Sequence, residues 1–352
     1  MPELEELRAA PSLEAWLDEL ESGFERAAEA AGLVEARFRV AGEVVLVRFA
    51  GEPLSEQLGR GFHFRDSGDD EPALTICAWD SAQTGVPAPP LPEVAEGSER
   101  GTTVYVHADG RRLVSRPMLG QLSAYDSDRR TAWSWCESGL ELPFWERAAP
   151  FRQVLHWWLP ERGILLLHGG AVGDEAGGVL IVGRGGSGKS TCALSSLASP
   201  LLYAGDDYVA VRPEGEPYVF NLFSTGKLTP FHSRHFHHLP PAAFEGDGAL
   251  EEKSVFYVGE QLPERMAEGF PLEAIVAPRV TGDAPRHEPL GAAGALAALA
   301  PSTLLQLVPA EPKALTAMAG LVSRVPTFRL EVGGPIEELP AALARILEEV
   351  RG

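Results

Sequence analysis

The chain has 352 residues, 45% of them hydrophobic, which is enough to build more than one sizeable core, so two domains are expected. A formal net charge of −20 excludes nucleic acid as the expected partner, since phosphate backbones attract clustered cations that are missing here. No run approaches the roughly 20 apolar residues of a membrane span, and the start "MPELEELRAAPSLEAWLDEL" is acidic and amphipathic, unlike a signal peptide, so a cytoplasmic protein is expected.

The first element is a helix over residues 13–32, where Leu13, Trp16, Leu20 and Phe24 recur at helical spacing and Gly32 ends the run. The period then changes to two. "ARFRVAGEVVLVRFAG" reads as a hairpin turning near Gly42, "TTVYVHADGRRLVSRP" turns at Asp109-Gly110, and "GQLSAYDSDRRTAWSWC" turns around Asp126 to Arg129. Residues 1–142 are therefore expected to be an α+β domain rich in antiparallel strands, with a regulatory or acceptor-binding role. Within it, "TGVPAPPLPEVAEGSERG", 84–101, reads as an exposed proline-rich loop, and the alternating Trp133 and Trp135 as core. The cysteines Cys77, Cys136 and Cys192 lack the spacing of a zinc or disulfide framework and read as buried thiols.

Residues 143–352 are expected to form an α/β domain. It starts with a bridging helix, "PFWERAAPFRQVLHWWLPERG", followed by a hairpin of two apolar strands, 164–172 and 178–182. The second strand runs into "GRGGSGKST", in which Gly183, Gly188, Lys189 and Ser190 match GxxxxGK followed by Ser or Thr, between a strand and a helix. Bare backbone at Gly183, Gly185, Gly186 and Gly188 lets successive N–H groups, those of Ser187 and Thr191 included, converge on phosphate oxygens. Lys189 would neutralise the β and γ phosphates, and the Ser190 hydroxyl suits Mg²⁺, which prefers oxygen.

Seventeen positions after Lys189, "LLYAGDDYVAVRP" carries Asp206 and Asp207. One carboxylate can hold Mg²⁺ and the other accept a proton from an attacking hydroxyl; a Gly-Asp-Asp turn is the purely structural alternative. Cation usage adds a second signal, because only four of the 30 basic residues are lysines: Lys189, Lys227, Lys253 and Lys313. An ammonium is a compact point charge that guanidinium does not replace, so each retained lysine is a candidate for a special role. Lys227, Lys253 and Arg279 are lower-grade candidates for contacts with substrate or phosphate. The histidines His232, His235, His237 and His238 read as solvated loop residues rather than as a metal site. The stretches "LGAAGALAALAPS", "PTFRLEVG" and "IEELPAALARILEEV" supply the remaining helices and strand of a sheet flanked by helices.

The order "LLLHGGAV", "GGVLIVGRGGSGKST" and "LLYAGDDYVAV" resembles the P-loop catalytic domain of HPr kinase/phosphorylase and its wider relatives, a fold also similar to phosphoenolpyruvate carboxykinase. The resemblance implies that His168 lies beside the acidic pair, that Asp206 is the general base activating a serine hydroxyl, and that Asp207 positions Mg²⁺. Further on the chain reads "NLFSTGKLTPFHSRHFHHLP" where that family carries a Glu-Ile-Arg-Gly-Leu-Gly type signature, which points to a divergent member with another acceptor. The expected activity is an ATP- and Mg²⁺-dependent transfer of phosphate to a serine hydroxyl on a protein or peptide. A small-molecule kinase and a nucleotide-regulated binding module without transfer activity are the alternatives, and ATP, GTP and pyrophosphate all remain open as donors.

Overall fold

The computed structural model describes residues 12–92, 98–99, 102–106, 110–239, 241–243, 253–309 and 313–352. They form two compact units, one of Met1–Ala36, Val45–Gln57 and Pro72–Leu142, the other of Arg37–Val44, Leu58–Glu71 and Pro143–Gly352. No helix among the described residues is long and apolar enough to cross a membrane.

In the first unit the opening helix runs Leu13–Ala31, capped by the Ser12 hydroxyl, which accepts from the Ala15 N–H at 3.3 Å, and ended at Gly32 with φ 86°. The strands follow as β1 (Leu33–Val40), β2 (Glu43–Ala50), β3 (Leu74–Asp80), β4 (Ser98–Glu99), β5 (Thr102–Val106), β6 (Arg112–Arg116), β7 (Gln121–Asp126) and β8 (Thr131–Cys136). They make one sheet in the order β1-β2-β3-β8-β7-β6-β5-β4. Three hairpins appear where the turn residues predict them, although Asp109 itself lies outside the described residues. Strand β3 is the addition that period-two reading does not foresee: it inserts between β2 and β8 and runs parallel to both. The helix lays Trp16, Leu20 and Phe24 against Trp79, Leu122 and Trp133, so the two-residue and 3.6-residue periods meet in a single core.

The described part of the proline-rich segment is no free loop. Val86, Ala88 and Leu91 pack on this core, and the indole N–H groups of Trp16 and Trp79 donate to the Pro90 and Val86 carbonyls at 2.8 and 3.1 Å. Indole donors buried in an apolar cluster need acceptors, and a proline-rich strip, poor in N–H donors of its own, has carbonyls to spare.

In the second unit the bridging segment is two short helices, Phe144–Ala148 and Arg152–Trp158, because Pro150 interrupts the run. Then come β9 (Leu165–Gly173), β10 (Gly178–Val182), a helix at Lys189–Ser195, β11 (Leu202–Gly205), β12 (Tyr208–Arg212), β13 (Tyr218–Phe220), β14 (Thr225–Leu228), β15 (Ser254–Tyr257), β16 (Gly269–Gly282), β17 (Arg286–Pro289) and β18 (Thr327–Gly333). Helices Ala292–Leu304 and Ala314–Arg324 precede β18, and Leu339–Arg351 ends the chain.

Two long strands organise this sheet by changing partners along their length. The first half of β9, Leu165–His168, pairs with β12, whereas its second half pairs with β10 and β11. Strand β16 starts against β13, continues parallel to β10 and finishes parallel to β18. Helices Lys189–Ser195 and Leu339–Arg351 cover one face, with Cys192, Leu194, Leu343 and Ile346 packed on Ile181, Val276 and Leu330. Helices Ala292–Leu304 and Ala314–Arg324 cover the other, packing Leu299, Met318 and Leu321 on Leu167, Leu180 and Ile275. A mixed sheet with helices on both faces is an α/β architecture, and it leaves the ends of the parallel strands β10, β16 and β18 open for a site.

The change of partner in β9 depends on Gly169. A Cβ there would lie 2.7 Å from the Ile181 carbonyl of β10. Gly169→Ala is expected to lower stability by about 1–3 kcal/mol, the usual cost of forcing an extra carbon into a packed interior, and urea denaturation checks it; an unchanged midpoint would show that the hairpin accommodates the methyl group freely.

Candidate functional site

Three chain segments build the site. The first is the loop 183–190 between β10 and the helix at Lys189. Gly183, Gly186 and Gly188 take φ 151°, 76° and 103°, a region that side-chain-bearing residues rarely enter, and the loop conformation depends on them. Lys189 is 7% exposed, and its Nζ donates to the carbonyls of Gly183 and Arg184 at 2.7 and 3.2 Å, across the mouth of its own loop. Burial lowers the pKa of this ammonium, and Lys253 and Lys227 push in the same direction against Asp206 and Asp207. An incoming anion would relieve it. The Ser187 hydroxyl in the same loop is buried without a partner.

The second segment is the turn between β11 and β12. The Gly-Asp-Asp stretch is a turn, as the structural alternative holds, and it carries Asp206 into the interior and Asp207 half-way into it. Asp206 is 2% exposed, and Asp207 adopts φ 74°, which an aspartate tolerates better than most residues. The Asp207 carbonyl accepts from the Gly169 N–H at 3.0 Å, fixing the turn to β9. The left-handed residue sends the two carboxylates into different surroundings.

Asp207 is the neutralised member. Lys227 Nζ on β14 donates to its Oδ2 at 2.5 Å, and His168 Nε2 on β9 lies 3.3 Å from its Oδ1. Burial alone would raise this carboxyl; the Lys227 charge and the hydrogen bonds from His168 and Lys227 outweigh it and hold the group well below the ordinary range. Arg152, paired with Glu146 at 2.7 Å, adds a positive field on the same carboxylate.

Asp206 is the opposite case. Its Oδ2 accepts the Lys227 backbone N–H, at 3.3 Å, and among the described residues its buried Oδ1 has no hydrogen-bond partner. Burial and then the adjacent Asp207 raise its pKa, opposed in part by Lys253, Ser190 and Lys227. The Ser190 hydroxyl lies close enough to favour the ionised form. Ser190 of the glycine-rich loop and the acid pair thus share one site.

The third segment is β14 with β15. Tyr203 Oη donates to the Thr225 carbonyl at 2.7 Å, and Thr225 Oγ1 donates to the Ala148 carbonyl at 2.6 Å, so β14 is pinned where Lys227 can reach Asp207. Lys253, one residue before β15, is half-buried, and its charge bears on both Asp206 and Lys189. Three of the four lysines therefore converge here, and Lys313, at the start of a surface helix, does not. Arg279 is placed elsewhere: exposed near the end of β16, it lines a cleft with residues 183–187 of the loop.

Several positions escape sequence reasoning. Arg152, Glu146 and Thr303, whose Oγ1 accepts from the His168 N–H at 3.2 Å, are among them. No local signal marks them, since each acts across more than a hundred positions or through a break in a helix. His238 Nε2 lies 2.9 Å from the Leu194 carbonyl, and among the described residues no group of three or more His, Cys, Asp or Glu is arranged to hold a metal ion.

No family model matches the chain, and no curated protein does. Among solved structures it is similar to the Hpr(Ser) kinase/phosphatase from Coxiella burnetii, at 10% identity and a TM-score of 0.28, over 53% of this chain and 95% of that one. So distant a likeness leaves the activity to be read from the site's own geometry.

The unequal acids have opposite effects on stability. The Asp206 pKa is raised on folding, so its contribution is complete below the unfolded-state pKa and is lost as pH rises through the folded value; at neutral pH its charge is a burden, and Asp206→Asn is expected to raise the thermal midpoint. The Asp207 pKa is depressed, so its contribution is present above the unfolded-state pKa and disappears as pH falls through the folded value. Asp207→Asn strands Lys227 and is expected to cost about 3–5 kcal/mol at neutral pH. Thermal melts of the two variants across pH check both signs, and equal shifts in one direction would refute the asymmetry.

Proposed function

We propose that the second unit is a phosphotransferase that takes the terminal phosphate of ATP, with Mg²⁺, and passes it to a hydroxyl group, a serine of a protein or peptide being the favoured acceptor. The observation that carries this reading is the meeting of Ser190, Lys189 and the Asp206-Asp207 turn in one buried site, ringed by two further lysines. A triphosphate tail and a hydroxyl nucleophile need these groups: backbone donors and an ammonium for the phosphates, oxygen ligands for a hard cation, and a carboxylate for the proton.

The donor set fits Mg²⁺. Such sites take one or two carboxylates with substrate phosphates rather than a full protein cage, and the hydroxyl of Ser190 beside two carboxylates, one with an orphaned oxygen, has that composition. Ser190 and one carboxylate of the pair would hold the ion, Asp207 only once one of its oxygens is released by Lys227 or His168, and the ion would supply charge neutralisation on the phosphates. Asp206 is the proton acceptor, because its free Oδ1 offers a lone pair and its raised pKa brings its basicity nearer the working pH than that of an ordinary carboxylate. Lys189 would leave the Gly183 and Arg184 carbonyls for the phosphates, exchanging two neutral acceptors for charged ones. His168 and Lys227 keep Asp207 ionised and oriented. Positioning and electrostatics perform most of the work, as is usual for phosphoryl transfer.

Transfer from γ-labelled ATP to a cell extract, separated into macromolecular and small-molecule fractions, tests the reading and its alternative. Label in the macromolecular fraction is expected; label among small molecules would identify a metabolite kinase, and none in either would leave a nucleotide-regulated module. Lys189→Ala is expected to abolish nucleotide binding. Asp206→Asn is expected to reduce transfer by about 100-fold or more while leaving nucleotide affinity intact. Transfer by the unaltered protein should fall as pH drops below the raised Asp206 pKa, an acid limb that starts above the ordinary carboxyl range. If Asp207→Asn removes transfer and Asp206→Asn removes only the Mg²⁺ dependence of binding, the two roles are exchanged.

A further inference from the structure

Both carboxylate oxygens of Asp207 are engaged by the chain itself, Oδ2 by Lys227 Nζ at 2.5 Å and Oδ1 by His168 Nε2 at 3.3 Å. A metal ion that uses this carboxylate has to displace one of the two, and they differ in freedom. His168 is a ring on β9, 6% exposed, with its backbone N–H bonded to Thr303 and its ring centre 5.5 Å from that of Tyr208. Lys227 ends in a compact ammonium on a flexible four-carbon stem. Its backbone is fixed, since a Cβ on Gly226 would lie 2.5 Å from a methyl carbon of Leu194, so β14 lies directly on the helix at Lys189–Ser195. Its side chain is not fixed in the same way: Nζ stands 5.8 Å from the centre of the Phe144 ring, a face that attracts a cation without binding it in one geometry.

Charge decides when the exchange is favourable. Lys189, Lys227 and Lys253 outnumber the two carboxylates of the turn, and Arg152 adds to the positive field on Asp207. A divalent ion arriving alone would add to this surplus, at a place removed from water where like charges repel most strongly. A complex of Mg²⁺ with a triphosphate is net negative instead, and its oxygens offer the Lys227 ammonium a charged acceptor in exchange for Asp207.

We infer that Lys227 is an internal cation latch: its ammonium holds an oxygen of Asp207 until a triphosphate arrives with the ion, and then turns from Asp207 onto the phosphates, so that the chain admits the metal ion with the nucleotide and not alone. The inference rests on the phosphotransferase reading and gives Lys227 two positions within it. His168 stays on Asp207 in both, and Lys253, which bears on the site only through its field, has no part in the exchange.

Two measurements on the full chain test the latch. In the first, Mn²⁺ is titrated without nucleotide and followed by the loss of the free ion's electron paramagnetic signal. Lys227→Met is expected to bind the ion at least about tenfold more tightly than the unaltered protein, and Lys253→Met, which also removes one charge, by less than about threefold. In the second, which needs no variant that has lost the ion pair, the side-chain ¹⁵N signals of the four lysines are followed in the unaltered protein, with Lys227→Arg identifying that of Lys227. The Lys227 signal is expected to stay in place on addition of Mg²⁺ alone and to move on addition of Mg²⁺ with a non-hydrolysable ATP analogue. The latch is overturned if Mg²⁺ alone moves that signal as far as Mg²⁺ with the analogue does, or if Lys227→Met tightens Mn²⁺ no more than Lys253→Met. Calorimetry with the analogue and Mg²⁺ separates the two levels of the account: binding that leaves the Lys227 signal in place sinks the latch alone, whereas no binding at all sinks the phosphotransferase reading and the latch with it.

Discussion

The arrangement depends on one electrostatic constraint, the burial of two consecutive carboxylates in a single turn. Adjacent charges at low dielectric cannot share one environment, so the chain must separate them. It does so through the backbone: Asp207 enters the left-handed region at φ 74°, one carboxylate turns toward Lys227 and His168, and the other toward Ser190 in the glycine-rich loop. An unusual dihedral angle at a buried acid is a form of strain that persists only where the surroundings enforce it. Here the enforcing contacts are the Gly169 N–H on the Asp207 carbonyl and the pinned strand that bears Lys227.

The lysines complete that balance. In a chain that otherwise uses arginine, Lys189, Lys227 and Lys253 all gather around the acid pair. A guanidinium is broad, planar and always charged, whereas an ammonium fits a narrow buried space and can swing between a carbonyl, a carboxylate and a phosphate oxygen. The bond from Lys189 to its own loop and the bond from Lys227 to Asp207 are two such resting positions. Arg279 and Arg184 stand exposed on the open cleft instead.

Much of this was legible in the sequence, and the reasons are specific. GRGGSGKST between an apolar strand and a helix announces its own geometry, because glycine spacing and loop conformation are two statements of one constraint. The helix at Leu13–Ala31 and the hairpins of the first unit follow from periodicity and turn residues. The parallel insertion of β3 does not, since period two fixes which face a side chain occupies and says nothing about which strand lies alongside. Likewise the proximity of Asp206 and Asp207 to the loop was readable, and the resemblance put His168 beside the pair, but which acid it meets and the part of Lys227 as the other partner were not. Lys227 lies on β14 and Lys253 one residue before its partner strand β15, and His168 meets Asp207 because β9 and β12 align in register. The packing of residues 86–91 against Trp16 and Trp79 was hidden for a similar reason: a proline-rich composition looks like solvent-exposed chain until buried indoles demand its carbonyls.

The most direct test is a crystal structure of the chain with Mg²⁺ and a non-hydrolysable ATP analogue. The account predicts the β and γ phosphates on the backbone amides of residues 183–190, Lys189 Nζ turned from the Gly183 and Arg184 carbonyls onto them, and the terminal phosphate within hydrogen-bonding reach of the Asp206-Asp207 turn. A triphosphate bound elsewhere, or one that leaves Lys189 on those carbonyls with both acids remote from the phosphates, would contradict it.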